Sequence, residues 1–230
     1  YLFAAHLGGR TVADVFRWAS SERNTEPVTI LAQHEEYGEI ASRAGSVIAL
    51  TPETRSGVFG SLQTMVAFLA DPDIIEWILP REGDGTPEGR AVFDPLAFAT
   101  SEGDTLYLLS AQGRPSTALT ASLTAVVAFT AFHYAQSECV DNDRRLPRPM
   151  CCVLDEAANI CRWPELADVY SYFGSAGIPI MTIWQNPDQG KAAFGETNFG
   201  SLFNNANITV YLGGVKDAKW LGEISSLVGQ

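Results

Sequence analysis

Positive charge is scarce in this sequence. Its 230 residues include 15 Lys and Arg against 27 Asp and Glu, which gives a formal net charge of −12 at neutral pH. Proteins that bind nucleic-acid phosphates over a broad surface do so with clustered Lys and Arg. A broad phosphate-binding surface is therefore excluded, and any contact with DNA must be local.

Cysteine is also rare. The four cysteines form no CxxC pair and have no neighbouring histidines; they are Cys139, Cys151, Cys152 and Cys161. Zinc sites and disulfide frameworks need paired spacing, so neither is indicated. A reducing cytoplasm is the expected compartment, with Cys151 and Cys152 as small core residues.

Long apolar runs are missing as well. The longest candidate, 118–135, is interrupted by five polar residues, whereas a membrane helix takes about 20 mostly apolar ones. We therefore expect a soluble chain without a membrane span. The sequence begins at Tyr1 without a signal-peptide pattern, and we interpret it as a fragment of a longer protein.

Two adjacent carboxylates, Asp155 and Glu156, follow the short apolar run 150–154. Such a run favours a parallel strand buried on both faces, and ligands of parallel sheets bind at the carboxyl ends of the strands. In nucleotide hydrolases one such carboxylate serves magnesium, and another can orient or deprotonate water. The alternative is that both residues only cap the next helix.

A second apolar run, 178–184, also ends on polar residues, Gln185 and Asn186. A glutamine at the end of a neighbouring strand can sense a phosphate or position water without carrying charge. A helix-capping loop residue is the alternative for Gln185 alone. Together with Asp155 and Glu156, the functional interpretation is favoured.

The order of the patterns predicts two domains. Residues 1–80 read as all-α, with Thr11 and Asp14 as a capping box and with a helix from Thr51. The buried stripe of that helix is predicted as Val58, Leu62, Met65, Val66 and Leu69.

The proline- and glycine-rich stretch 77–99 is predicted to join the helical domain to an α/β domain, residues 81–230. Alternating strands and helices predict a mostly parallel sheet there. The predicted strands are 104–110, 150–154, 178–184 and 208–212, and the predicted helices are 115–136, 164–173, a short one from Asp188, and 216–227.

The order of these features resembles the TraG/TraD-like coupling proteins of type IV secretion and conjugation. The matching segments are TVADVFRWASS, TPETRSGVFGSLQTMVAFLADPD, FDPLAFATSEGDTLYLLSA, VLDEAANI, GIPIMTIWQN and FNNANITVYLGGVKDAKWLGEISSLVG. The resemblance implies a hexameric RecA-like ATPase with an inserted all-α domain, in which VLDEAANI is the Walker B motif.

By this resemblance, Asp155 would hold Mg²⁺ through water, Glu156 would activate water for ATP hydrolysis, and Gln185 would be the sensor. The protein would deliver DNA or protein substrates to a secretion channel from the cytoplasmic face of the bacterial inner membrane. Residues 1–80 would bind a relaxase or effector protein, and DNA would occupy the pore of a homo-hexamer.

Two features depart from the family pattern. No G-x-x-x-x-G-K-[ST] occurs, because Gly190-Lys191 is followed by Ala192. We expect the phosphate-binding loop and the membrane anchor to lie upstream of Tyr1, so the fragment alone should be inactive as an ATPase. Gly174 and Ser175 stand where the family carries an arginine, for which Arg114 and Arg162 are substitutes by proximity only.

Two other functions stay open. The first is a recognition module without catalysis, in which an acidic face on residues 1–80 attracts a basic cargo signal in a salt-dependent manner. That face comprises Glu22, Glu26, Glu35, Glu36 and Glu39, whose charge exceeds that of Arg10, Arg17, Arg23 and Arg43. The second is another RecA-type DNA translocase.

Overall fold

The computed structural model describes residues 1–79, 92–110, 116–214 and 216–229. The chain divides into two compact units, Tyr1–Val92 and Phe93–Gln230. The division falls inside the proline- and glycine-rich stretch in which the sequence places the domain boundary.

The first unit is helical throughout its described residues. Its α-helices are α1 (Leu2–Leu7), α2 (Val12–Ala19), α3 (Glu26–Ala32), α4 (Gly38–Ile48), α5 (Pro52–Val66) and α6 (Pro72–Ile78), with 3₁₀ turns at Glu35–Tyr37 and Ala67–Ala70. The capping box predicted for α2 is confirmed, since the Thr11 backbone N–H donates to Asp14 Oδ2 at 2.9 Å. Trp18 and Leu31 are fully buried in the core that α1 to α4 enclose.

The buried stripe of α5 differs from the prediction. Val58 and Met65 are exposed, at 41% and 72%, whereas Arg55 and Phe59 are buried. The reason is that the Arg55 guanidinium donates to the carbonyls of Ile48 and Leu50, both at 3.0 Å. A charged side chain can hold an inward position when its donors are satisfied in this way.

Replacement of Arg55 by alanine should therefore destabilise the first unit. The two carbonyls would lose this donor, and the Glu22 carboxylate, which lies 3.4 Å from Arg55 Nε, would keep only the hydroxyl of Ser56. The expected loss is about 2 kcal/mol in the free energy of unfolding, measured by urea denaturation.

Arg43→Ala is the matched control for Arg55→Ala. Arg43 pairs with Glu39 at 3.2 Å, but both side chains are about four-fifths exposed. Its loss should stay below about 0.5 kcal/mol. Equal losses in the two variants would show that the inward position of Arg55 contributes nothing.

The second unit combines helices with a short sheet. Its elements are α7 (Pro95–Ala99), α8 (Ser116–Glu138), a 3₁₀ turn (Val140–Asn142), β1 (Cys152–Leu154), α9 (Ala157–Ile160), α10 (Leu166–Phe173), β2 (Ile180–Thr182), α11 (Pro187–Phe194), α12 (Glu196–Asn205) and α13 (Ala218–Val228). The predicted helices are confirmed as α8, α10, α11 and α13, whereas α7, α9 and α12 were not predicted.

The strands β1 and β2 pair in parallel, with Val153 opposite Met181 in the register. Leu154 is buried, but Val153 and Met181 are 57% and 54% exposed. The prediction of burial on both faces was therefore wrong for these described residues, because only one face of the sheet packs against the core. Cys151, which was predicted in the core, is exposed for the same reason.

Segments 104–110 and 208–212 are not strands, contrary to the prediction. Their sequences suit a sheet, but a strand also needs a neighbour that pairs with its backbone. Within the described residues the only ladder joins β1 and β2. Ile208 and Leu212 consequently expose 81% and 92% of their surface.

Helix α8 crosses the core of the second unit. Its Ala128, Ala131 and Ala135 are fully buried, and Phe129 and Phe132 pack against Phe173 of α10. Small residues allow the neighbouring elements to approach closely, and the aromatic rings fill the remaining volume. The core thus forms around α8, α10 and the buried face of β1.

By length and composition, α8 over Thr117–Glu138 could also cross a membrane. Counted as one helix, the bent pair Pro52–Ala70 and Pro72–Ile78 would be a second such candidate among the described residues. The polar residues in α8 therefore do not by themselves exclude a membrane span. One third of the α8 window is buried.

The partial cover of the sheet predicts an order of thiol reactivity. Burial, with a smaller contribution from Cys151 and Cys161, raises the pKa of Cys152 to about 12, so its reactive thiolate is absent at mildly alkaline pH. Iodoacetamide should therefore modify exposed Cys151 well before Cys152, as measured by mass spectrometry of the native chain. Equal rates at the two residues would contradict the burial of this sheet face.

Candidate functional site

The carboxyl ends of β1 and β2 lie side by side. The Ile183 N–H donates to the Leu154 carbonyl at 3.0 Å, and the Ala157 N–H donates to the Ile183 carbonyl at 3.1 Å. Parallel pairing thus continues past the end of each strand and holds the two following loops together. Asp155 and Glu156 leave β1 at this point, and Gln185 follows β2.

Glu156 and Gln185 are in direct contact. Gln185 Nε2 donates to Glu156 Oε1 at 2.5 Å, a charge-assisted hydrogen bond when the carboxylate is ionised. The backbone of Glu156 lies in the left-handed region, with φ 49° and ψ 47°. A residue without glycine's freedom costs of order 1–3 kcal/mol there, and such conformations cluster at functional sites.

The helix-capping interpretation does not account for these side chains. Glu156 stands at the N-cap of α9, yet its side chain makes no capping hydrogen bond to that helix. The helix that follows Gln185, α11, is capped by Asn186, whose Oδ1 accepts from the Gln189 N–H at 2.9 Å. Gln185 is therefore left to contact Glu156.

Gln189, which was not predicted as a site residue, also belongs to this cluster. Its Nε2 donates to Gln185 Oε1 at 3.4 Å. Gln185 directly precedes the N-cap of α11, and the four-residue spacing to Gln189, about one helical turn, is the signal that could have indicated it.

A cavity of about 870 Å³ lies beside β1 in the second unit. Segment 104–110 and α8 form its walls, and β1 with Asp155 and Glu156 lines the other side. Its volume lies in the range of ligand pockets. Asp155 is exposed and so is open to ligands from solvent.

The residues present fit part of a magnesium-nucleotide site. Magnesium usually takes one or two carboxylates and completes its shell with water and phosphate oxygens, which exposed Asp155 allows. The described residues contain no cluster of three side chains that could hold a metal without a nucleotide. The glycine-rich phosphate loop is absent from the sequence.

Neither Arg162 nor Arg114, the two possible substitutes for the family's arginine, is seen to contact Glu156 or Gln185 in the described part of the chain. Arg162 Nε donates to the Ala158 carbonyl at 2.9 Å and so closes the end of α9, while Arg114 lies outside the described residues. Gly174 and Ser175 occupy the position where the resemblance implies an arginine. Their carbonyls accept hydrogen bonds from Arg145 Nη1 at 3.0 and 3.2 Å. That corner precedes β2 and lies at the opposite end of the strand from Gln185.

The predicted acidic face of the first unit is largely paired. Glu22 contacts Arg55, Glu39 contacts Arg43, and Glu26 contacts Arg10 and Arg17 within 3.2 Å. The predicted charge excess was therefore too large, because Arg55 also neutralises this face. Glu35 and Glu36, on the 3₁₀ turn, make no ion pair within the described part of the unit.

The hydrogen bond from Trp18 Nε1, with Arg10 and Arg17 nearby, holds the pKa of Glu26 below its usual value. A depressed carboxyl pKa contributes stability at neutral pH that is lost as the pH falls through the folded-state pKa. Glu26 is thus a structural carboxylate of the first unit.

The segment that carries this site is similar to a known protein family. Residues 149–230 match the TraG-D_C family, described as the TraM recognition site of TraD and TraG. The chain is similar to this family over these residues. The matched segment contains both strands and the whole Glu156, Gln185 and Gln189 cluster. No curated protein and no solved structure matches the chain.

The resemblance to TraG/TraD-like coupling proteins is thereby confirmed, through a segment that covers more than a third of the chain. The TraG-D_C segment puts the second unit in the context of conjugation and DNA transfer. The roles of Asp155, Glu156 and Gln185 in ATP hydrolysis stay predictions.

Proposed function

We propose that this chain is the part of a conjugation coupling ATPase that activates water for ATP hydrolysis. In this proposal the second unit belongs to a RecA-like nucleotide domain, and the first unit is the inserted helical domain. The intact protein would be a hexamer at the cytoplasmic face of the inner membrane and would deliver DNA or protein to a type IV secretion channel.

The observation that carries the proposal is the hydrogen bond from Gln185 to Glu156 at the carboxyl ends of two parallel strands. This edge is where parallel sheets bind ligands. A base must be held in one orientation within reach of the attacking water, and the amide of Gln185 does so without adding charge.

In this proposal each of the three residues has a separate role. Asp155, exposed next to Glu156, would hold Mg²⁺ through water; the bound Mg²⁺-ATP would supply the reacting phosphate and neutralise its charge. Glu156 would accept a proton from the attacking water. Gln185 would orient the Glu156 carboxylate and be placed to respond to the phosphate.

ATP hydrolysis by the intact protein tests this proposal, with the 230-residue chain as comparison. The intact protein should hydrolyse Mg²⁺-ATP. The chain alone should neither bind nor hydrolyse it appreciably, because it lacks the amides and lysine that hold the phosphates. Tight Mg²⁺-ATP binding by the chain in calorimetry, or an inactive intact protein, would contradict the proposal.

Recognition of a relaxosome-type partner is a second candidate function. The matched family is described as the TraM recognition site of TraD and TraG, and the match covers residues 149–230. This region differs from residues 1–80, for which cargo binding was predicted. Calorimetry of the chain with a TraM protein should detect binding that Glu35→Gln and Glu36→Gln leave unchanged. A loss of binding in those variants would return recognition to the first unit.

A further inference from the structure

We propose that Gln189 is a positioning residue that holds Gln185 against Glu156. The inference rests on the proposed function for its catalytic consequence, but its structural part stands independently. Gln189 Nε2 donates to Gln185 Oε1 at 3.4 Å, and Gln185 Nε2 donates to Glu156 Oε1 at 2.5 Å. The two amides thus form a chain of hydrogen bonds that ends on the carboxylate.

An exposed glutamine needs such support. Gln185 lies on the surface, where a long side chain loses much rotamer freedom when it is held in one conformation. One hydrogen bond from its nitrogen leaves the carbonyl end free to turn. The second contact, from Gln189, fixes that end, and linked hydrogen bonds polarise and strengthen one another.

The start of α11 is built to place Gln189. Asn186 caps the helix by accepting from the Gln189 N–H at 2.9 Å, and Pro187 fixes the first turn. Both residues directly follow Gln185 in the sequence. The backbone of Gln189 is therefore tied to the same strand end that carries Gln185.

Packing beneath α11 fixes the rotation of the helix. Gly190 is buried against the ring of Phe199, and a Cβ at this position would lie 2.1 Å from a ring carbon. Trp184 packs edge-on against Phe194 and Phe199, with ring centres 5.6 and 5.2 Å apart. The residues on both sides of the amide pair are thus held in the core, so Gln185 and Gln189 face each other.

The structural test is NMR of the chain itself. In the wild type the side-chain amide of Gln185 should be rigid by ¹⁵N relaxation. Gln189→Ala should make it mobile, and Gln189→Asn should do the same because its shorter side chain cannot reach. Lys191→Ala, on the same helix, should leave it rigid. An amide that stays rigid in Gln189→Ala would overturn the inference.

The catalytic test uses the intact protein. Gln189→Ala should lower kcat for ATP hydrolysis on the order of tenfold with KM little changed, less than the hundredfold that a displacement of about 1 Å can cause. In a Gln185→Ala background the same change should have no further effect, because the residues act through one chain. Independent, multiplying losses would contradict the inference.

Failure of the inference is distinguishable from failure of the proposed function. An active Glu156→Gln variant would reject the proposed function, while the NMR result would still decide whether Gln189 holds Gln185. An inactive Glu156→Gln variant with a fully active Gln189→Ala variant would reject only the role of Gln189.

Discussion

Replacement of Glu156 by glutamine in the intact protein is expected to reduce ATP turnover by about 10²–10⁴-fold, the usual contribution of general acid–base catalysis. Glutamine keeps the size of the side chain but cannot accept the proton of the attacking water. Nucleotide binding should persist, because the phosphate contacts lie elsewhere. The loss should therefore fall on kcat and leave the ATP affinity nearly unchanged.

Lys191→Ala is a suitable control for this measurement. Lys191 pairs with Glu196 at 3.1 Å on the helix beside the site and has no contact with Glu156. Its turnover should match the wild type. Full ATPase activity in Glu156→Gln would mean that the hydrogen bond with Gln185 has only a structural role.

Phe173→Ala is expected to have the largest effect on stability. Phe173 is fully buried and contacts four aromatic rings, with ring centres 5.0–6.1 Å away; they belong to Phe129, Phe132, Trp163 and the adjacent Tyr172. Its removal leaves a cavity that these rigid neighbours cannot close. We expect a loss of about 4 kcal/mol in the free energy of unfolding of the second unit, measured by urea denaturation.

Phe93→Ala is the matched control, since Phe93 is 44% exposed and contacts only the ring of Phe98 among the described aromatic residues. Its loss should stay below about 1 kcal/mol. Similar losses for Phe93→Ala and Phe173→Ala would contradict a core centred on α8 and α10.

The strand ends were predictable because their signals are local. A short apolar run followed by carboxylates predicted β1 and the place of Asp155 and Glu156, and a second run did the same for β2 and Gln185. Parallel pairing then brings the two ends together, as observed. The catalytic roles of these residues do not follow from this proximity and stay predictions.

The extent of the sheet was not predictable from the same signals. Segments 104–110 and 208–212 have apolar patterns as strong as that of β1, yet neither pairs within the described residues. An apolar pattern indicates that a segment could form a buried strand. Backbone pairing also requires a neighbouring strand at hydrogen-bonding distance, which the pattern does not report. The RecA-like sheet is therefore still a prediction.

The charge balance of the acidic face and the side-chain hydrogen-bond network could not be predicted from the sequence either. Arg55 lies 33 residues from Glu22, so its neutralising effect on the acidic face depends on how the helices pack. Gln189 belongs to no sequence motif, and only its contact with Gln185 in the folded chain indicates a role for it. Such pairings are set by tertiary structure, which residue patterns along one helix cannot report.

The central claim is that Asp155, Glu156 and Gln185 form the water-activating side of an ATP site. The most direct test is a structure of the intact protein with Mg²⁺ and a non-hydrolysable ATP analogue. The account predicts the γ-phosphate at the carboxyl ends of β1 and β2, with the metal near Asp155 and a water between Glu156 and the phosphate. A nucleotide bound away from this edge, with Glu156 still held only by Gln185, would contradict it.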